Sequence, residues 1–427
     1  MVRTVLFWLH LAAGVLAGAV ILLMSATGVA LTYERQLNAW STSHLRSVAP
    51  SAGAVPLSLE VLVERVSQNK PDVSLTGVTV SAAPGAAVTL MADPAPLFVD
   101  AYTGRELGER RGAGLRAFLS TMRGWHRWLA MDGENRAVGK AITGWANLLF
   151  LFIVVSGLYL WLPRTWRWLQ LRQALWFKRQ YGTSKARDFN WHHVIGIWSA
   201  IPLFVIVLGA VPMSFPWAND ALYRLVGDEP PARGRVAAPG GRDGRGGPAT
   251  PAAAGSRTDV RGERGRSEDA NRRATPPSFA GLDVAFARAR SESSDWRTIS
   301  VRVPRRAEEP LAFTVDSGDG GQPQRRASLT LTRAGEVVSR ETFADQSRGR
   351  QLRSVLRFAH TGEVFGIIGQ TIAGLATTGS VVMVWTGLAL SWRRLFAWRA
   401  RRRERSLPAS SRAALADVSP LSPQEFI

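Results

Sequence analysis

Four long apolar segments constrain this chain more than any other feature. From Val5 to Tyr33, Ala141 to Leu162, Val194 to Phe215 and Val364 to Ser391, the runs are interrupted mainly by small or weakly polar residues. Each exceeds the ~20 residues that an α-helix needs to cross a hydrocarbon core of ~30 Å. Averages over the whole chain hide this, since 46% hydrophobic residues and a mean hydropathy of -0.02 describe an ordinary soluble protein. The expected fold is an α-helical membrane protein built on a four-helix transmembrane bundle. The first segment reads as a retained helix and not a cleaved leader. Its apolar region is longer than the usual ~7 to 15 residues, and no small-x-small site follows it.

Flanking cations set the expected orientation. The short loop 164–190 carries Arg164, Arg167, Arg172, Lys178, Arg179, Lys185 and Arg187, and the tail 393–427 carries Arg393, Arg394, Arg399 and the run Arg401 to Arg403. Both belong in the cytoplasm, so both termini lie inside and two large segments, about 34–136 and 216–362, lie on the outer face of a bacterial inner membrane. The formal charge of +20 is then a matter of topology, and no nucleic-acid partner is expected.

The chain has no cysteine, which excludes disulfides, cysteine-ligated iron–sulfur clusters and covalently attached haem. A redox centre would have to be held by histidine or methionine. Its histidines are placed accordingly. Trp8-Leu9-His10-Leu11-Ala12-Ala13-Gly14 opens the first apolar segment, Trp191-His192-His193-Val194-Ile195-Gly196 opens the third, and His126 and His360 stand just ahead of the second and fourth. Histidine with glycine four residues on shares one helix face. It offers an imidazole for iron and a gap for a flat macrocycle, and facing helices of a bundle can hold such a cofactor. Two stacked haems b are expected, one between His10 and His192 and one between His126 and His360. His193 is the alternative to His192, but only His192 keeps the spacing to glycine. His44 is expected to be solvent-exposed.

Arg123, Arg127, Arg353 and Arg357 flank the outer pair and are candidate partners for haem propionates. Gly14, Gly196 and Gly366 either make room for the rings or let helices pack closely. Most of the 16 tryptophans read as an interfacial belt, with Trp125 and Trp191 beside the histidines as candidates for electron passage.

The chain also falls into two halves. Ser156-Gly157-Leu158-Tyr159-Leu160-Trp161 ends the second apolar segment and Thr386-Gly387-Leu388-Ala389-Leu390-Ser391-Trp392 the fourth, while the first and third share the His-x-x-x-Gly opening. Each half is helix, outer domain, helix, a parallel internal repeat. In the first outer domain, 34–115, the pattern predicts a helix from Leu57 to Ser67, strands near Val73 to Ser81, Ala86 to Met91 and Leu97 to Val99, and a turn at Asp100 to Gly108. In the second, 278–348, it predicts a helix from Phe279 to Ala289, strands at Thr298 to Val303, Leu311 to Val315 and Ala327 to Leu331, and a matching turn at Thr332 to Val338. Residues 116–163 hold an interfacial helix and the second span, with a turn at Met131 to Asn135. The third span covers 191–215, and 350–392 holds the fourth. The segment 229–277 has almost no large apolar side chains and is expected to be disordered.

Together the His-x-x-x-Gly openings, the Gly-Leu-x-Leu ends, the turn Asp100-Ala101-Tyr102-Thr103-Gly104-Arg105-Glu106-Leu107, and Leu356-Arg357-Phe358-Ala359-His360-Thr361-Gly362 followed by Gly366 and Gln370 resemble the PepSY-associated transmembrane-helix family. The resemblance leaves out 229–277 and the tail after about Arg405. It implies two periplasmic α+β PepSY-like domains between membrane helices. Some members resemble inner-membrane reductases that use b-type haems to release iron from ferric siderophores, which gives an expected activity, transmembrane electron transfer to a periplasmic ferric siderophore. PepSY modules are also linked to peptidase inhibition, so the competing expectation is a non-redox module that binds a periplasmic peptidase or transporter. No nucleotide fingerprint occurs and loop 164–190 is too short for a flavin or nicotinamide domain, so the electron donor, cytoplasmic or quinone, would be separate.

Overall fold

The computed structural model describes residues 1–45, 53–93, 95–108, 112–163, 167–231, 278–304, 306 and 308–406. From the N-terminus, α1 (Val2–Leu31) and α2 (Glu34–Ser41) lead to α3 (Leu59–Asn69) and to strands β1 (Ser74–Ser81), β2 (Val88–Asp93) and β3 (Leu97–Val99). Next come α4 (Ala113–Trp128), α5 (Asn135–Trp161), α6 (Trp168–Leu175), α7 (Ser184–Ser214) and α8 (Pro216–Leu225). Then follow α9 (Leu282–Ser291), β4 (Thr298–Arg302), β5 (Leu311–Asp316), β6 (Arg326–Leu331) and β7 (Val337–Thr342), with α10 (Arg348–His360) and α11 (Gly366–Ser406) last. The chain forms two compact units, one of residues 1–30, 122–214 and 372 onward, the other of 31–121 and 215–371.

The first unit is the bundle. Its helices α1, α5, α7 and α11 are long and apolar enough to cross a membrane, by length and composition. Small residues and buried hydroxyls let them approach, as membrane helices require where no water drives association. A Cβ on Gly18 would stand 3.0 Å from the Leu388 side chain, and one on Gly379 2.8 Å from the Ser199 hydroxyl. The hydroxyls of Ser25 and Ser380 meet at 2.7 Å between α1 and α11, and the Asn147 amide of α5 donates to the Val207 carbonyl of α7 at 3.1 Å.

Two helices outrun their expected ends. α7 begins at Ser184, ahead of 191, and α11 continues to Ser406, past 392. Nothing from Lys185 to Ile195, or from Leu388 to Ser406, is Gly or Pro, so polarity rises while the helix persists; Pro408 lies just beyond. The turn expected at Met131 to Asn135 is present between α4 and α5. Leu129 and Ala130 precede it in the left-handed region, with φ of 54° and 53°. Gly139 accepts the resulting close approach, since a Cβ there would overlap the Trp128 carbonyl.

The second unit is an α+β sandwich of one sheet and its helices. All seven strands join in one sheet, ordered β3-β2-β1-β4-β5-β6-β7. The two outer domains expected at 34–115 and 278–348 are therefore not separate. β1 pairs antiparallel with β4, Val78 opposite Val301, and the core is shared. Leu59, Leu62, Val63 and Val66 of α3, and Leu282, Ala285 and Ala289 of α9, pack on Val78, Leu90, Val99, Ile299, Val301, Phe313 and Leu329. Pairing β1 with β4 covers an edge that each module would otherwise leave open. Helix–strand alternation does not report which edges meet.

The seam is tight. A Cβ on Gly77 would lie 2.3 Å from the Val301 carbonyl, at an irregularity in the pairing of β1 with β2. At the starts of α3 and α9, Asp283 Oδ1 accepts from the backbone N–H of Leu59 at 2.6 Å, and Glu60 Oε1 accepts from that of Asp283 at 3.2 Å. Each residue is the second of its helix, α3 or α9.

The predicted strands and the two helices appear within a few residues of their expected places. β7 stands where the pattern predicts only a turn, because its residues Val337 to Arg340 are all exposed and show no alternation. The expectation for 229–277 falls, apart from 229–231, outside the described residues.

Within this unit α10 is anchored at its start. The Gly349 N–H donates to Asp228, and a Cβ on Gly349 would overlap the Tyr223 ring of α8. The passage from α1 into α2 is fastened by Gln370, whose amide donates to the Thr32 carbonyl at 3.1 Å and accepts from the Gln36 side chain at 2.6 Å.

Candidate functional site

Three histidines of the bundle unit sit in the same kind of seat. His10 Nδ1 lies 2.9 Å from the Ser156 hydroxyl, which itself stands 3.2 Å from the Ile153 carbonyl. His192 Nδ1 lies 3.0 Å from the Met383 carbonyl and 3.2 Å from the Thr386 hydroxyl. His126 Nδ1 lies 2.9 Å from the Met24 carbonyl and 3.2 Å from the Thr27 hydroxyl. In each case the carbonyl comes from residue i, the hydroxyl from i+3 and a glycine from i+4 of the neighbouring helix. A Cβ on Gly157, Gly387 or Gly28 would stand 3.2, 3.2 or 3.4 Å from Cε1 of the histidine it faces.

Partner chemistry assigns the tautomer. A carbonyl only accepts, and the three hydroxyls direct their own protons back to carbonyls of their helices, Phe152 for Ser156, Val382 for Thr386 and Leu23 for Thr27. Nδ1 must therefore carry the hydrogen, which leaves the lone pair of the neutral imidazole on Nε2. No hydrogen bond reaches Nε2 of His10 or His192 among the described residues. An anchored Nδ1–H with a bare Nε2 is the arrangement in which a metal-ligating imidazole is held, and on the chemistry of this donor set the residues fit haem iron.

The unit brings His10 and His192 together at one end of the bundle. Arg394 of α11 stacks on Phe7 and Trp8 of α1 at 4.8 Å, while its neighbour Arg393 meets Asp188 of α7 at 2.6 Å, which puts both histidines at one level. Gly14 has no atom within 4 Å of where its Cβ would be, and beside Gly196 the nearest is the Met383 sulfur at 3.5 Å. Gly366 serves the backbone instead. With φ 61° and ψ -147° it occupies a region that only glycine readily adopts.

His193 has a different setting, stacked on Phe189 at 5.2 Å and 6.3 Å from the Trp161 ring. Of the two neighbours it is His192, and not His193, that shares the seat of His10. His44 is exposed, as expected. His360 closes α10 in the sheet unit, with Arg353 exposed and Arg357 against Phe358 at 5.1 Å; Arg123 and Arg127 belong to α4 in the bundle unit, Arg127 against Trp128 at 4.9 Å. Trp125 and Trp191 are partly exposed, and Trp191 carries Arg187 at 5.6 Å and Phe177 at 6.4 Å.

A family model for the PepSY-associated TM region matches residues 7–394. The chain belongs to that family. It is accordingly a membrane protein with transmembrane helices. No curated protein sequence matches it.

Ser156, Thr386 and Thr27 are the members of the site that the sequence did not announce. Ser156-Gly157 and Thr386-Gly387 stood out only as matching helix ends. The signal was present in their spacing, since a hydroxyl followed by glycine occurs at the level of each histidine. Asp188 and Asn190 carry no signal of their own in the sequence. Both are buried, one turn or less before His192.

Proposed function

We propose that the bundle carries two b-type haems and moves electrons across a bacterial inner membrane to a periplasmic ferric siderophore. The reading takes the chain as two halves in parallel repeat, with both termini in the cytoplasm and the sheet unit in the periplasm. The observation that carries it is the shared histidine seat, in which carbonyl and hydroxyl acceptors fix Nδ1–H and leave Nε2 for a metal. His10 and His192 would hold one iron; for the other the candidate ligands are His126, with Arg123 and Arg127 as proposed propionate partners in the bundle unit, and His360, with Arg353 and Arg357 in the sheet unit. When bound, haem supplies a one-electron iron couple. The chain orients the imidazoles, raises their basicity through the carbonyl acceptors and keeps apolar side chains around them. Ferric iron is the substrate, bound less tightly by hard oxygen ligands once reduced.

The test is a visible spectrum of detergent-purified protein, oxidised and dithionite-reduced, with pyridine haemochrome quantification. About two low-spin haems per chain are expected by analogy with bis-histidine bundles, and His10→Ala and His360→Ala should each remove about one. A protein without a Soret band, expressed with ample haem, leaves the partner-binding module as the better account.

A further inference from the structure

We infer that the end of the bundle bearing His10 and His192 is a docking surface for an acidic, soluble one-electron carrier. The inference rests on the proposed electron-transfer function and names the donor's chemistry. At this end Arg172, Lys178, Arg179, Arg394, Arg399 and Arg402 are exposed. Asp188 is the only carboxylate in 1–15, 162–199 and 388–402, and it is buried.

Orientation rules explain cations here, but not their fixing in place. Asn190 Oδ1 accepts from the backbone N–H of Lys178 at 3.1 Å and from the Tyr181 hydroxyl at 2.8 Å, and the Trp198 indole donates to the Leu175 carbonyl at 2.9 Å. The loop between α5 and α7 is thereby strapped to the helix that carries His192. Asp188 holds Arg187 at 3.0 Å and Arg393 at 2.6 Å, and the aromatic rings of α1 hold Arg394. A loop that served orientation alone needs charge but no buried amide or carboxylate to hold it. A preorganised positive rim beside the proposed iron ligand steers a negative partner and fixes its approach. The carrier gives up one electron and one ferric iron becomes ferrous, with no bond made or broken.

The test uses full-length haem-loaded protein in phosphatidylcholine nanodiscs, with reduced flavodoxin as the probe. The second-order rate of haem reduction should fall about tenfold or more between about 20 and about 200 mM salt. Combined Arg172→Gln, Lys178→Gln and Arg179→Gln should lower the low-salt rate about tenfold and flatten its salt dependence, leaving haem content and dithionite reduction unchanged. Asn190→Ala should slow the reaction without removing a charge. A rate indifferent to salt and to the triple substitution overturns the inference. So does an effect of the cations that appears only in vesicles containing anionic lipid, which assigns them to headgroups. Should the protein hold no haem, the proposed function fails by itself, and flavodoxin binding measured by interferometry decides the surface: salt-sensitive binding lost in the triple variant sustains it, and no binding ends it.

Discussion

Asp283 and Glu60 cap each other's helices. The carboxylate of Asp283 accepts from the first two backbone N–H groups of α3, Leu59 at 2.6 Å and Glu60 at 3.4 Å, and Glu60 returns the bond to Asp283 at the start of α9. Negative charge at a helix start also suits its dipole. The pair therefore links two segments far apart in sequence, whose strands also join in one sheet.

Removing Asp283 should loosen α3 as well as its own helix. Asp283→Ala is expected to cost about 0.5 to 2 kcal/mol, the range for a lost cap. Hydrogen exchange of the full-length protein should show faster exchange in both α3 and α9. Faster exchange confined to α9 would contradict the reciprocal arrangement.

Gly77 should tolerate no side chain. Its Cβ would lie 2.3 Å from the Val301 carbonyl, which is backbone and cannot swing away. Gly77→Ala is expected to cost about 1 to 3 kcal/mol by analogy with overpacked cores, and amides of β1 and β4 should lose protection together.

The histidine seats predict two grades of damage. Thr386→Val removes an acceptor from His192 but leaves the Met383 carbonyl, so haem should still bind and be lost to apomyoglobin about 10- to 100-fold faster. Gly387→Val pushes a branched side chain onto Cε1, 3.2 Å from the Cβ position. It should lower haem content by about one per chain. An unchanged content with Gly387→Val would argue against His192 as a ligand.

Asp228 should make the anchorage of α10 sensitive to acid. The Gly349 N–H, the Ser347 hydroxyl and the charge of Arg348 together hold its carboxyl below the usual carboxylate range. A depressed pKa in the folded chain means that the stabilisation is fully present above the ordinary aspartate value of about 4 and is lost as pH falls through the lower folded value. Exchange of α10 amides, corrected for intrinsic rates, should rise across that interval. Asp228→Asn should remove the dependence.

Much of this architecture was legible because long apolar runs and period-two alternation survive in the sequence. The four spans, and strands such as Leu311 to Asp316, are of this kind. Edge strand β7 was not, since exposure on both faces erases alternation. The fusion of the two modules through β1 and β4 was hidden for another reason. Strand patterns report which face is buried, and pairing partners across 221 residues leave no periodic trace. In the site, the imidazoles could be read, while their hydroxyl partners look like ordinary small residues of packed membrane helices until the helices are set side by side.

Because Thr79 of β1 bonds to Ser300 of β4, 221 residues later, the sheet cannot be completed while the chain is half made. At synthesis rates of ~5–20 residues per second, the interval is roughly ten to forty seconds. During it β1 presents an open edge of the kind that recruits other strands, and α5 and α7 are synthesised in the same interval. The order of biogenesis is thus written into the sheet: the first module waits on the nascent chain for the second, and a holdase that shields an unpaired strand would be of use to this protein until β4, made after the third span, has emerged.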